Sequence, residues 1–138
     1  MIDYDLDILA RTLYGEARGE YTTCGPAALI AVANVILNRL KRGGKYGKTL
    51  TEVCLKSRQF SCWDSEDPNR PLIQGERLEE DPLFIFCQQV ALKVNRGIWP
   101  DLTRNSDHYH ATSCKPSWAR VGKIRLRLGR HIFYKLDE

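Results

Sequence analysis

The sequence predicts an α+β domain, mainly helical, with one central buried helix and a small β-hairpin. Three observations predict it. Ile2, Leu6, Leu9 and Leu13 recur at the three- and four-residue spacing of one helix face. From Ala27 to Leu40 the chain is apolar almost all round, the pattern of a helix enclosed on every side. Lys123-Ile124-Arg125-Leu126-Arg127-Leu128 alternates strictly, which is strand periodicity, and Gly129 offers a turn into Ile132-Phe133-Tyr134.

The first helix is expected from near Asp3 to near Arg18, with Asp5 and Asp7 favourably placed in its first turn and Gly19 as its stop. Glu16 is the next position on the Leu9–Leu13 face, inside the last turn, and Glu20 falls just past the stop. A carboxylate on a buried stripe is costly unless it is paired, hydrogen-bonded or held protonated. A raised pKa is what a general acid working near neutral pH needs. The alternative is a glutamate at a helix end that turns toward solvent, and the segment by itself leaves both readings open. Gly15 and Gly19 leave room for a ligand or another backbone to approach closely.

Gly25-Pro26 reads as the start of the second helix, with proline at its first position. It ends at Gly43-Gly44, with Arg39, Lys41 and Arg42 complementing the dipole of the last turns. Asn38 and Arg39 are polar groups within reach of the neighbouring Glu16 or of local backbone. A short helix is expected over Thr51–Leu55, followed by a long irregular segment from Lys56 to Asp81. Long loops in compact domains tend to be functional, and this one holds Gln59-Phe60-Ser61-Cys62-Trp63. Asp81-Pro82 caps and opens another helix, which carries Leu83, Phe86, Val90 and Val94 on one face and stops at Gly97. Ile98 to Ser117 is again expected to be irregular, and holds Asp107-His108-Tyr109-His110.

With 138 residues the chain suits one domain with a real core. Its longest strongly apolar stretch, Pro26 to Leu37, is too short to span a bilayer. The opening Asp3, Asp5 and Asp7 do not resemble a secretory signal, so the expectation is synthesis in the cytoplasm without a signal peptide. The formal net charge is +4, and Lys115, Arg120, Lys123, Arg125, Arg127, Arg130 and Lys135 crowd the last quarter against Asp137 and Glu138. Such a surface suits an anionic partner, or simply a solvated face. None of the five cysteines (Cys24, Cys54, Cys62, Cys87 and Cys114) has C-x-x-C spacing, which speaks against a zinc ribbon or a thioredoxin-like motif. Most are expected to be small buried hydrophobes in a reducing compartment, with one or two disulfides possible after release from the cell.

Three chemistries compete. His108 and His110 with Asp107 could hold a metal, but H-E-x-x-H is absent and the next histidine, His131, is distant. A cysteine nucleophile, Cys24 or Cys62, could pair with a histidine. Alternatively, Tyr109 and one histidine line a groove across from Glu16, helped by Gln59, Phe60 and Trp63. Aromatic and hydrogen-bonding side chains suit a sugar, whose ring face is apolar and whose edge is polar.

Several blocks carry a resemblance. They are Leu9-Ala10-Arg11-Thr12-Leu13-Tyr14-Gly15-Glu16-Ala17-Arg18-Gly19-Glu20, then Ile30-Ala31-Val32-Ala33-Asn34-Val35-Ile36-Leu37-Asn38-Arg39, and Gln59-Phe60-Ser61-Cys62-Trp63. Thr103, His108-Tyr109-His110-Ala111, Pro116-Ser117-Trp118-Ala119 and Gly129-Arg130-His131-Ile132-Phe133-Tyr134 follow in order. In this combination, over nearly the whole chain, the sequence resembles the catalytic domain of the SleB/CwlJ-type cell wall hydrolases. The resemblance implies a single lysozyme-like catalytic domain over residues 1–138. It further implies a lytic transglycosylase that breaks the β-1,4 bond between N-acetylmuramic acid and N-acetylglucosamine, with Glu16 as the catalytic acid and no cofactor.

Gln59, Phe60, Trp63, Tyr109 and His110 are the candidates for holding the saccharide, and Glu20 is the reserve carboxylate. The expected partner is the peptidoglycan glycan strand, with no nucleic acid and no membrane-spanning segment, acted on by a monomer. The lack of a signal and of a wall-binding domain points to a phage-type endolysin that reaches the wall after release, its basic C-terminal region assisting by binding anionic wall components. Hydrolysis by two carboxylates, cysteine-dependent peptide cleavage, and a non-catalytic wall-binding module are the alternatives.

Overall fold

The computed structural model describes residues 3–56 and 59–136. Ile2, Asp137 and Glu138, invoked above, lie outside the described residues. Five α-helices run in order: α1 (Tyr4–Cys24), α2 (Pro26–Leu40), α3 (Leu50–Leu55), α4 (Arg70–Gln74) and α5 (Pro82–Asn95). The strands follow: β1 (His108–Ala111), β2 (Lys123–Leu128) and β3 (His131–Lys135). They form one antiparallel sheet in the order β1-β3-β2.

The Asp3 carboxylate caps α1 by accepting the Leu6 N–H at 3.2 Å. The helix does not stop at Gly19 as expected. It continues to Cys24, and Gly25 ends it with a positive φ of 67° and its N–H on the Tyr21 carbonyl. A mid-helix glycine costs only about 1 kcal/mol, whereas Gly25 is followed by Pro26, which begins α2 at once. Glu20 is therefore helical, one turn beyond Glu16.

As predicted, α2 is the enclosed helix. Ala28, Leu29, Val32, Ala33 and Ile36 pack into the main core with Leu9, Leu13 and Ala17 of α1 and Phe84, Cys87, Val90 and Ala91 of α5. Ala31 and Val35 face the sheet, where Phe133 of β3 is fully buried against them. Asp81 caps α5 through the Leu83 N–H at 2.8 Å.

Two expectations of irregularity are corrected. The 56–81 segment carries α4 and short 3-10 turns at Ser61–Trp63 and Glu76–Glu80. The 98–117 segment contains β1, so the sheet has three strands rather than a lone hairpin. β1 is four residues long without a valine or isoleucine, and it is a strand because β3 offers it a ladder: His108 opposite Tyr134, Tyr109 opposite Phe133, His110 opposite Ile132. All five cysteines are free: Cys54, Cys62 and Cys87 buried, Cys24 half-buried, Cys114 exposed. Among the described residues, no helix is long and apolar enough to cross a membrane.

Candidate active site

Leu9 and Leu13 are fully buried, and one turn on the same face of α1 presents Glu16, half-buried. Its Oε1 accepts a very short hydrogen bond from the Tyr109 hydroxyl, and its Oε2 accepts the Cys62 backbone N–H at 3.2 Å. Burial pushes the Glu16 carboxyl above its ordinary range, the charge of Asp67 adds to the rise, and the two hydrogen bonds oppose it. Burial thus favours the protonated form, and the same two donors are placed to receive the carboxylate it becomes.

The residue before it makes this possible. A Cβ on Gly15 would lie 2.7 Å from the Cys62 Cβ and 2.9 Å from its Sγ. Glycine lets the Ser61–Trp63 turn settle directly on α1, which brings the Cys62 N–H to Glu16. At Gly19 a Cβ would meet nothing within 4 Å. Of the two glycines, only Gly15 serves a close backbone approach within the protein.

Alternation along β1 decides which of its side chains meets Glu16. Tyr109 points toward the helices, with Phe133 and Phe60 at ring-centroid distances of 5.4 and 6.5 Å. Burial and the adjacent Glu16 push its phenol well above the ordinary value, so it donates as a neutral hydroxyl. His110 points to the opposite face of the sheet. There it stacks on Tyr134 and bonds that hydroxyl at 2.9 Å, with Trp118 edge-on. The histidine beside Tyr109 is instead His131 of β3, ring centroids 5.0 Å apart, which burial pushes below the usual imidazole value. Only the strand register brings the two together, and no local spacing announces it.

Neither Asn38 nor Arg39 hydrogen-bonds Glu16. Asn38 donates to Asp101 and to the Ser106 carbonyl, both at 2.9 Å. Arg39, only 5% exposed, donates through Nε to the Asp107 carbonyl at 2.7 Å and through Nη1 to the Gln59 side chain at 2.9 Å. Its guanidinium also lies over Tyr46 and Phe60, 5.2 and 5.1 Å from their ring centroids. One buried side chain therefore braces both segments that supply Glu16 with donors: β1, two residues before Tyr109, and the loop three residues before Cys62.

The other predicted residues divide between packing and surface. Phe60 is buried. Trp63 donates its indole N–H to the Thr12 hydroxyl at 2.8 Å. Both border a cleft of about 570 Å³ that continues past Lys56 to Glu66 and Arg70; Glu16 is not among its lining residues. Glu20 accepts the Arg130 backbone N–H at 2.9 Å and so ties the β2–β3 turn to α1. Asp67, not singled out in the sequence, is the acid whose charge acts on Glu16 and Cys62. Its place in the long loop gave no local signal.

Burial pushes the Cys62 thiol far up, reinforced by Glu16, so it is a poor thiolate. Burial likewise raises Cys54 and Cys87 to about 12 each. Cys24 lies against the β2–β3 turn near Gly129.

A helical domain that presents a half-buried, hydrogen-bonded carboxyl with a raised pKa among aromatic side chains has the parts an acid catalyst needs. Residues 25–134 match the family model described as Cell Wall Hydrolase, and the chain belongs to that family. The matched span begins after Glu16. A structural match that includes the Glu16 region is the catalytic domain of the germination-specific lytic transglycosylase SleB from Bacillus anthracis. It is 26% identical with a TM-score of 0.73, over 98% of this chain and 97% of that one. The catalytic domain of the Bacillus cereus SleB protein is 23% identical with a TM-score of 0.68, over 95% and 89%, and shares the fold. A comparison with curated protein sequences finds no match.

Proposed function

We propose that this enzyme is a lytic transglycosylase that cleaves the N-acetylmuramic acid–N-acetylglucosamine bond of peptidoglycan with Glu16 as its one acid. The observation that carries the reading is the Glu16 carboxyl, raised by burial and flanked by two donors. Protonated Glu16 gives its proton to the glycosidic oxygen as the bond to the anomeric carbon breaks. The nascent carboxylate is stabilised by the Tyr109 hydroxyl and the Cys62 N–H. The 6-hydroxyl of the same muramic acid then attacks the anomeric carbon and returns a proton to Glu16. A 1,6-anhydro end forms and no water is consumed.

Ordinary glycosidases use a second carboxylate. Glu20 is committed to the Arg130 N–H, which favours the single-acid reading. Asp67, whose charge reaches Glu16, favours the hydrolytic alternative and is the residue that tests it. The cysteine alternative fares worse, because the thiol nearest Glu16 is held protonated. Alkylation is expected to label exposed Cys114 first and to leave glycan cleavage intact. Enzyme lost in step with labelling would revive that alternative.

The test is digestion of purified peptidoglycan by the wild type and by Glu16→Gln and Asp67→Asn, with products identified by mass spectrometry. Anhydro-muropeptides from the wild type and from Asp67→Asn, and none from Glu16→Gln, are expected. Reducing ends that disappear in Asp67→Asn would establish a hydrolase. For setting, we propose a phage-type endolysin acting on the wall after release; lysis on intracellular expression only when a holin-like pore is co-expressed is the expected outcome.

A further inference from the structure

Strand β2 carries a surface that the chemistry at Glu16 does not use. It lies at one margin of the sheet, so one side of its backbone has no partner strand. Between Thr112 and Leu136 the chain has no acidic residue, yet Lys115, Arg120, Lys123, Arg125, Arg127, Arg130 and Lys135 all fall there. Among the described residues, none of these cations takes part in an ion pair. Among the described residues, Glu20 and Asp107 approach the hairpin, and both are used otherwise. Glu20 holds the Arg130 backbone, and Asp107 is fully buried against Arg42, His108 and the Leu136 N–H.

Two features of the strand are costly in isolation. Lys123 and Lys135 stand directly opposite each other in the β2–β3 ladder, and like charges so placed destabilise a sheet. Arg125 sits where the register shifts between Ile124 and Leu126, and its Nε is buried with no hydrogen-bond partner. An anion on this edge would relieve the Lys123–Lys135 repulsion and meet the Arg125 charge at the strand margin.

We propose that the β2 edge binds a phosphodiester polymer of the cell wall. The inference rests on the reading of peptidoglycan as substrate. Arginine forks match phosphate oxygens in pairs. The register places Lys123 on the Phe133 side of the sheet and Arg127 on the Tyr134 side, with Arg125 at the shift between them, so the cations flank one strand edge, a narrow strip that suits a linear polyanion better than a flat lipid surface. β1, which brings Tyr109 to Glu16, lies two ladder spacings away in the same sheet, about 10 Å. A polymer held at β2 keeps the acid beside the glycan to which that polymer is attached.

The test is co-sedimentation of the full chain, as Glu16→Gln so that the wall stays intact, with sacculi before and after hydrofluoric acid removes their phosphodiester polymers. Binding that weakens on stripping and on raising the salt is expected. The added substitutions Lys123→Gln, Arg125→Gln and Arg127→Gln should weaken it on the order of 100-fold together. Lys123→Glu supplies Lys135 with a partner, so it should raise the melting temperature while lowering binding, which separates lost binding from lost folding. Equal binding to stripped and unstripped sacculi, or unchanged binding by the variants, overturns the proposal. So does tighter binding to phosphatidylglycerol vesicles or duplex DNA than to glycerol phosphate oligomers. Cleavage of stripped sacculi by the wild type is read separately, and its absence overturns the enzymatic reading rather than the anion site.

Discussion

Two opposing influences meet on Glu16: burial raises its carboxyl, while Tyr109 and Cys62 favour its anion. On the proposed mechanism Glu16 must be protonated to act, so activity should be full below its raised pKa and fall as the pH climbs through it. Tyr109→Phe removes a bond that favours the carboxylate. It should move the alkaline limb of the kcat/KM profile to higher pH and lower kcat on the order of 100-fold; an unmoved limb would show that the hydroxyl does not touch the reacting acid. The same balance has a consequence for stability. A folded-state pKa above the ordinary value near 4.5 means that the folded chain holds its proton longer than the unfolded one, so stability declines as pH rises across that window. Glu16→Gln escapes this decline, its amide oxygen taking the Cys62 N–H and its NH2 facing the Tyr109 oxygen. The variant should melt several degrees above the wild type at neutral pH and by no more than the wild type below pH ~4.

At the scale of elements, α1 is joined to the rest of the site through Gly15 and its last turns. Gly15→Ala forces a methyl against the Cβ and Sγ of Cys62, which is buried and has little room to retreat. It should cost about 1–3 kcal/mol in urea unfolding and reduce glycan cleavage, because the Ser61–Trp63 turn lifts off Glu16. Gly19→Ala lies in the same helix with open space around it and should stabilise by about 0.5–1 kcal/mol. Equal effects of the two would contradict the packing described. The pair also shows why helix ends are hard to place from sequence. Gly19 reads as a stop, but a glycine ends a helix only where the backbone turns to positive φ, as at Gly25.

For the whole molecule, the buried Arg39 links α2 to β1 and to the 59–63 loop, and so sets the distance between the two donors of Glu16. Arg39→Lys keeps the charge and loses the fork. It should destabilise by about 2–3 kcal/mol in urea unfolding and lower kcat with little change in KM; a change confined to KM would place Arg39 on the substrate instead. The sequence showed Asn38 and Arg39 as polar residues at the end of an apolar helix, without saying what they hold. Their partners lie more than 60 residues away at Asp101, Ser106 and Asp107, and 20 away at Gln59.

Local pattern alone determined the enclosed α2, the start of α1 near Asp3, the cap at Asp81, the β2–β3 hairpin and the placing of Glu16 on a buried face, because helix and strand periodicities and cap chemistry act within a few residues. Tertiary structure decided the rest. It carried α1 through Gly19, made β1 a strand, turned His110 away from Tyr109 and put His131 in its place, and gave Glu20 to the Arg130 N–H. Each of those outcomes depends on which distant backbone or side chain arrives to satisfy a polar group or fill a space. That is a property of packing, to which no short stretch of sequence has access.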